Sequence, residues 1–405
     1  MTSQVAVMNL KGVAIASDTV VTTTVGESQK VLGDVPKIYE IGPDHKVLIL
    51  HSNQVHINGV PHQINLAGWS KTLSKPLPTL VAYIDSYRAW IASERRMISP
   101  AGEVDTINRM LNQVYYELKR EALESLVWHS APEGTEKKKK TALEAFLAEI
   151  ADDFFSKINA LDPYPGLTDK QAVSILEGLD IDLPEKISFI FNDVPFSEAT
   201  LANLLEWSYV IIARDRRFGE IDSHLGFVGF GSEEPFARVV RLSCRGIYGG
   251  ALRASQTLED SPLEPIINPG GIHYFAQSDS MWAFVNGLHQ SMSNKYREVI
   301  SRKVEERWGA ETEELIGHEV AGEVTEEIVN YSDEVFVQPL LMTVGAMGLQ
   351  GLADFAESLV GLQATSTLSK PGIATVGGLI EVVTIDNVNG VVWHKTLADK
   401  AIRPV

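Results

Sequence analysis

The chain has 405 residues, 44% of them hydrophobic and 22% charged, which is the composition of a globular protein with a large core. Its formal net charge of −18 argues against partners that expose phosphates, so we expect it to bind neither nucleic acid nor an anionic membrane surface. The single cysteine, Cys244, excludes an internal disulfide framework, and residues 1–20 lack a signal-peptide pattern, so we expect a cytoplasmic protein without a membrane span.

The first forty residues combine a small hydroxyl residue, short strands, an acid and a lysine. Thr2 follows the initiator methionine, which is commonly removed ahead of a residue this small. Apolar residues alternate on both sides of residues 9–12 and predict a β-hairpin, with Asp18 at the end of its second strand. Residues 35–41 predict another strand, with Lys37 near its start.

These residue types suit nucleophilic catalysis. A threonine hydroxyl is a weak nucleophile unless a base removes its proton, and a threonine at a chain start carries its own base, the α-amine. An α-amine titrates at about pH 7.7–8.0, and a neighbouring ammonium lowers that pKa by like-charge repulsion. A carboxylate would hold the ammonium in place, so Lys37 and Asp18 are candidates for such a pair.

The same stretch resembles the opening of proteasome β subunits and of the bacterial HslV protease, which are N-terminal nucleophile (Ntn) hydrolases. The resemblance is carried by Thr2, by the turn at 11–12, and by residues 16–18 and 35–41. It implies a threonine nucleophile at Thr2, supported by the ion pair of Asp18 and Lys37. It also implies an α+β fold, the four-layer αββα sandwich of the Ntn hydrolases.

Residues 46–52 form a compact apolar run and predict a buried strand. In the family, a glycine amide at the end of this strand stabilises the oxyanion, and the resemblance assigns that role here to Ser52, preceded by His51. Two further histidines follow, His56 and His62, but the spacing of the three does not put them on one helical face. We therefore expect scattered loop histidines and no metal site.

Helical patterns dominate the middle of the chain. Apolar residues recur at helical spacing over 79–97, at Leu80, Ile84, Tyr87 and Ile91, and further helices are predicted over 104–128, 142–161 and 197–212. The charged stretch 131–140 is expected to be an exposed loop or a disordered joint, although its lysines could also bind an acidic partner. These patterns divide the chain into residues 1–97, the first half of an Ntn core, and a mainly helical insertion at 98–220. Residues 221–405 complete the core and carry a second helical insertion at about 262–340.

A second part of the resemblance lies at residues 231–237, after a predicted strand at 225–231. This segment is similar to the Gly-Ser-x-x-Pro-Phe-Ala segment of proteasome β subunits, which makes Ser232 the candidate that orients the terminal amine. A turn or capping serine is the alternative. Glu233 could form a salt bridge with the terminal ammonium and raise its pKa. Residues 239–250 predict a hairpin that turns at 245–246, with Cys244 as a buried structural thiol.

The C-terminal third is predicted to contain a long helix from Ser278 to about residue 299, an amphipathic helix over 347–362, and a strand–turn–strand over 375–393. The last of these resembles the Ser-Gly-Gly segment and closing hairpin of proteasome β subunits. Gly377 keeps the close backbone approach and is a candidate for substrate or oxyanion binding. Val376 and Ile373 stand where the family has a serine and an aspartate.

The resemblance implies a proteasome-like threonine hydrolase that cleaves peptide bonds through an acyl-enzyme on Thr2 after removal of Met1, without metal or cofactor. It further implies a peptide or protein substrate, a homo-oligomeric ring and an ATP-dependent unfolding partner. Two alternatives stay open: an Ntn amidase that acts on a small molecule, and a catalytically silent subunit that keeps the fold for assembly or binding. Glu233, Ile373 and Val376 favour the silent subunit.

Overall fold

Antiparallel strands and helices make up the computed structural model, which describes residues 2–25, 28–94, 99–124, 136–164, 166–179, 181–192, 194, 196–214, 222–258, 263–308, 318–370 and 375–397. The strands are β1 (Ser3–Asn9), β2 (Gly12–Ser17), β3 (Val20–Val25), β4 (Ser28–Asp34), β5 (Ile38–Glu40), β6 (Val47–Asn53), β7 (His56–Ile57), β8 (Val60–Pro61), β9 (Ser223–Gly229), β10 (Arg238–Tyr248), β11 (Ala251–Leu258), β12 (Gly270–Ala276), β13 (Glu381–Asp386) and β14 (Gly390–Lys395). The α-helices are α1 (His62–Ser70), α2 (Leu80–Ser93), α3 (Pro100–Glu124), α4 (Glu136–Asn159), α5 (Asp169–Gly178), α6 (Leu183–Ile190), α7 (Glu198–Arg214), α8 (Asp279–Asn286), α9 (Gln290–Trp308), α10 (His318–Ser332), α11 (Gln338–Ala346) and α12 (Leu349–Ser369), with a π-helix at Asp333–Val337.

The predicted N-terminal hairpin is confirmed and forms the middle of the first sheet. Its five strands run in the order β12-β1-β2-β13-β14, and every neighbouring pair is antiparallel. All residues of β1 and β2 are buried, because both faces of the hairpin are covered. Gly12 closes the turn, where a Cβ atom would lie 2.4 Å from the Ile385 carbonyl oxygen.

The second sheet has the order β11-β10-β9-β6-β5 and is also antiparallel. The predicted turn at residues 245–246 is wrong, because β10 continues through a bulge there and turns at Gly249 and Gly250 instead. The bulge accompanies a buried ion pair in which Arg245 Nε donates to Asp222 Oδ1 at 3.2 Å. The short hairpins β3–β4 and β7–β8 lie outside the two larger sheets.

Alternation of apolar side chains packs the two sheets on each other and on helices. Ala6 and Met8 share an apolar core with Leu48 and Leu50 of the second sheet. The opposite face of β1 and β2 packs on α8, α11 and α12. The other face of the second sheet packs on α1 and α2, and the predicted stripe of α2 is fully buried, at Leu80, Ile84, Tyr87 and Ile91.

The helices α3–α7 have an apolar core of their own. Tyr248 of β10 enters this core, and its hydroxyl donates to the Ile212 carbonyl at 2.9 Å. The predicted loop at 131–140 is wrong for residues 136–140, which lie at the start of α4. Residues 131–135 lie outside the described residues. Lysine is a good helix former, so a run of lysines does not by itself break a helix.

The predicted long helix from Ser278 is divided in two. Gly287 ends α8 in the left-handed conformation, with a φ of +64°, and α9 begins at Gln290. No helix in the described ranges is both long and apolar enough to cross a membrane.

Candidate active site

A buried ion pair joins the end of β2 to the start of β5. Lys37 Nζ donates to Asp18 Oδ1 at 2.7 Å, and the two side chains are 1% and 0% exposed. The same ammonium donates to the Val20 carbonyl oxygen at 2.7 Å. Asp18 also accepts from two backbone N–H groups, that of Ser3 at 2.8 Å and that of Gly377 at 3.2 Å. Three donors on one buried carboxylate favour its ionised form.

Burial and pairing act in opposite directions on the two charges. Burial raises the pKa of the Asp18 carboxyl above its ordinary value, while the attraction of Lys37 lowers it. Burial likewise lowers the pKa of the Lys37 ammonium, and the carboxylates of Asp18 and Asp34 oppose that effect. Each charge of the pair is therefore retained in the fold mainly by its partner.

Thr2 lies beside this ion pair. Ser3 N and Lys37 Nζ bind the same oxygen of Asp18, which fixes the start of β1 against the ammonium. The Thr2 carbonyl oxygen accepts from Gln277 N at 2.9 Å, and Thr2 is 8% exposed. The structure thus brings together Thr2, Asp18 and Lys37, the three residues that the N-terminal sequence pattern nominated.

The predicted role of the Ser52 amide does not fit the register of β6. His51 N donates to Lys37 O at 3.2 Å, and Gln54 N donates to Asp222 O, which precedes β9, at 3.3 Å. Successive N–H groups of a strand point to opposite neighbouring strands. The N–H group of Ser52, which pairs with His224, therefore points toward β9 and away from Lys37. The N–H group that points to the Lys37 side is that of the next residue, Asn53.

Gly377 does approach the site closely, but its N–H group is taken by Asp18. Its carbonyl oxygen accepts from Thr19 N at 3.3 Å, so both of its backbone polar groups bind the end of β2. Gly377 therefore holds the acid rather than a substrate. Val376 is buried at 1% exposure, and Ile373 lies outside the described residues. Thr375 supplies a hydroxyl in this segment, which donates to Gln277 Oε1 at 3.5 Å.

Ser232 lies at the end of the second sheet opposite to Lys37. Phe230, two residues before it, donates its N–H to the Lys46 carbonyl at 2.8 Å, just before β6 begins. Lys37 adjoins His51, near the other end of β6. At the rise of a β-strand, His51 lies about 17 Å from Lys46. The prediction that Ser232 orients the terminal amine is therefore wrong.

The backbone N–H groups of Ser232 and Glu233 donate to the carbonyls of Leu77 at 2.8 Å and Pro78 at 3.0 Å, so this segment anchors the start of α2. Glu233 is exposed there and lies too far from Thr2 to form the predicted salt bridge with its ammonium. Ser232 is a turn serine, as the alternative interpretation had it.

The distant segment that reaches Thr2 follows β12 instead. Ala276 pairs with Ser3 in the first sheet, and Gln277 N bonds the Thr2 carbonyl, so Ser278 is the serine that this register brings to the site. Ser278 precedes α8, and its side chain makes no capping hydrogen bond. The sequence prediction missed Ser278 because residues 231–237 match the Gly-Ser-x-x-Pro-Phe-Ala motif. Residues 277–280 also contain serines between a strand and a helix.

Two histidines expected to be scattered lie side by side. His51 stacks on Tyr39 with ring centroids 5.5 Å apart, and His62 of α1 lies 5.8 Å from His51. Burial lowers the pKa of His51 to about 4 and that of His62 to about 3, so both rings are neutral near pH 7. Among the described residues, no group of three histidine, cysteine or acidic side chains could hold a metal ion.

No protein-family model matches the sequence, and no curated protein matches it significantly. The residues and their geometry therefore carry the functional conclusion.

Proposed function

We propose that the protein is a proteasome-like N-terminal threonine hydrolase, which cleaves peptide bonds through an acyl-enzyme on Thr2 after removal of Met1. The observation that carries the proposal is the shared oxygen of Asp18, which accepts from Ser3 N at 2.8 Å and from Lys37 Nζ at 2.7 Å. This contact sets a buried ammonium next to the residue whose hydroxyl and α-amine would supply nucleophile and base.

The proposed fold is the four-layer αββα sandwich of the Ntn hydrolases, enlarged by helical insertions. Support comes from the apolar core that the two sheets share and from the helices that cover the outer face of each sheet. A fold of this kind can carry many activities, so the activity rests on the site and not on the architecture.

In the proposed first step, the Thr2 α-amine takes the hydroxyl proton while Thr2 Oγ1 attacks the substrate carbonyl carbon. The Lys37 ammonium lowers the pKa of this amine by repulsion, so more of it is neutral at working pH. An ammonium has three N–H donors; Asp18 and Val20 accept two of those of Lys37, and we assign the third to Thr2 Oγ1.

The later steps use the same groups. The protonated amine passes its proton to the leaving nitrogen, the C–N bond breaks, and an ester to Thr2 is formed. Water then attacks this ester with the amine again as base. The amine returns the proton to Thr2 Oγ1 as the C–O bond of the ester breaks, and the product leaves as a carboxylic acid, which ionises.

Peptides or unfolded protein chains are the proposed substrates. On the resemblance alone, the proposal extends to a homo-oligomeric ring and an ATP-dependent unfolding partner. One observation favours the second candidate, a catalytically silent subunit: Val376 is buried where the resemblance has a serine.

The test begins with the intact mass of protein made without an N-terminal tag, which should correspond to a chain without Met1. A panel of fluorogenic peptides should then be hydrolysed by the wild type and not by Thr2→Ala, while Thr2→Ser, which keeps a hydroxyl, retains part of the rate. Retained Met1, or hydrolysis unchanged in Thr2→Ala, would overturn the proposal. If the wild type lacks Met1 but no reagent forms a covalent adduct on Thr2 and no peptide is cleaved, the silent subunit would be favoured.

A further inference from the structure

A second carboxylate closes the end of the site that faces the C-terminal segment. Asp34, the last residue of β4, accepts from Thr19 Oγ1 at 2.6 Å. The same hydroxyl lies 2.9 Å from the Leu379 carbonyl oxygen. The Thr19 carbonyl accepts from Val35 N at 2.8 Å, so two bonds hold the residue after Asp18 to the end of the β3–β4 hairpin.

Gly378 fits against this contact only because it has no side chain. Its φ is +75°, and a Cβ atom there would lie 2.3 Å from Asp34 Oδ1 and 2.7 Å from Thr19 Oγ1. The residue before it, Gly377, bonds both Asp18 and Thr19. Asp34 and Thr19 therefore form one side of a junction whose other side is the backbone of 377–379.

Asp34 also acts on Lys37 through its charge. Among the described residues, the titratable side chains that act on Lys37 are Asp18 at the end of β2, Asp34 at the end of β4, and His51 on β6. In the proposed mature protein, the Thr2 α-amine is a further titratable group beside it. His51 is neutral near pH 7, so the two carboxylates supply the negative charge. Asp18 attracts the ammonium directly, and Asp34 adds a weaker attraction that opposes the effect of burial.

We propose that Asp34 is a positioning residue of the Thr2 site, which holds residues 377–379 over Asp18 through Thr19 and adds a second negative charge beside Lys37. The first half of this proposal concerns only the fold of the site. The second half bears on catalysis and there rests on the proposed function.

Two substitutions at Asp34 separate its positioning role from its electrostatic role. Asp34→Asn keeps an oxygen that can accept from Thr19 but removes the charge, whereas Asp34→Ala removes both. Asp44→Asn is the control for the charge, because Asp44 is an exposed acid in the turn between β5 and β6.

Hydrogen exchange of the Thr19 and Gly377 amides tests the junction without any need for activity. Both amides should exchange about tenfold faster in Asp34→Ala, because one hydrogen bond that closes the junction is lost. Asp34→Asn and Asp44→Asn should exchange at the wild-type rate. Wild-type exchange in Asp34→Ala would overturn the positioning role.

An NMR titration of the Lys37 side chain, with its signal assigned by its loss in Lys37→Arg, tests the charge. Asp34→Asn should lower the pKa of Lys37 by about half a pH unit, as expected for one nearby, partly screened charge, and Asp44→Asn should leave it unchanged. In the hydrolysis assay, the alkaline limb of the kcat/KM profile should move to lower pH by the same amount. An unchanged Lys37 titration overturns the electrostatic role, whereas a wild type without hydrolysis refutes the proposed function alone.

Discussion

The Asp18 carboxylate is the residue on which the site depends. It accepts from the Lys37 ammonium, from the strand that begins at Ser3, and from Gly377, so one side chain connects three distant parts of the chain. Such a buried ion pair adds little net stability, since desolvation offsets much of the attraction, but breaking it is costly because one charge stays buried without its partner. Stability and activity are therefore expected to respond differently to substitutions here.

Lys37→Ala should abolish hydrolysis and lower the free energy of unfolding by about 3–5 kcal/mol, because Asp18 keeps a buried charge without its counter-ion. The double variant Asp18→Asn, Lys37→Met should recover most of the lost stability and none of the activity. Urea unfolding and peptide turnover measure the two effects. Wild-type turnover in Lys37→Ala would show that the ammonium takes no part in the chemistry.

The histidine pair predicts acid sensitivity. The pKa of His51 in the fold, about 4, lies below its unfolded value of about 6.5, so below that pH the unfolded chain binds more protons than the folded one. The contribution of the neutral His51 ring to the free energy of unfolding is fully present above about pH 6.5. It is lost as the pH falls through 4, by about 3 kcal/mol in total.

His51→Phe, which keeps an aromatic ring beside Tyr39 and His62, should therefore flatten the dependence of unfolding free energy on pH between 7 and 4. Urea unfolding at several pH values measures that slope. His289→Gln changes an exposed histidine and serves as the control. A slope in His51→Phe equal to that of the wild type would contradict burial of a neutral His51.

At the scale of elements, local patterns predicted well and long-range pairing did not. The hairpin β1–β2 and the buried stripes of α2 and α12 follow from periodicity within a few turns or residues. The partner of Thr2 could not be found in this way, because β12 pairs with β1 across most of the chain. A motif match therefore nominated Ser232, and only the sheet register brings Ser278 to Thr2 instead.

The same limit explains the other errors. The sequence at residues 245–246 is typical of a turn, but Arg245 is buried against Asp222 and strand β10 continues through it. The Ser52 amide was assigned from its position in the sequence. The direction of its N–H group depends instead on sheet pairing: His51 N bonds toward Lys37, so the next N–H group along β6 points to the opposite strand. The proximity of Thr2, Asp18 and Lys37 was predictable because all three lie in one short stretch of the chain.

The register makes a paired prediction for the two serines. Ser278→Ala should lower kcat by about tenfold or more, since a hydroxyl next to the amine can relay its proton. Ser232→Ala should stay within about twofold of the wild type, because such substitutions outside a site change little. Steady-state kinetics on one fluorogenic peptide compare them, and the reverse order of effects would restore the motif-based assignment.

At the scale of the molecule, the helices α3–α7 form a core separate from that of the two sheets. The turn between β10 and β11 connects them. Tyr248 donates to the Ile212 carbonyl from within the helical core, and Arg253 on β11 donates to the Tyr248 carbonyl at 3.0 Å. Arg253 also lies over the rings of Tyr248 at 5.1 Å and Tyr164 at 5.9 Å. One arginine thus supports a contact between the helical segment and the second sheet.

Arg253→Met, which keeps the apolar stem and removes the guanidinium, should therefore loosen the helical segment and leave the Thr2 site intact. We expect a loss of about 1–3 kcal/mol, the cost of a buried acceptor left without its charged donor, and faster amide exchange in α5 and α7 than in β1 and β2. Arg302→Met, on the exposed side of α9, is the matched control. Hydrolysis by Arg253→Met should match the wild type at low temperature, where both variants stay folded. A loss of turnover there, with β1 and β2 still protected from exchange, would instead mean that the helical segment shapes the site, and the two cores would have to be treated as one functional unit.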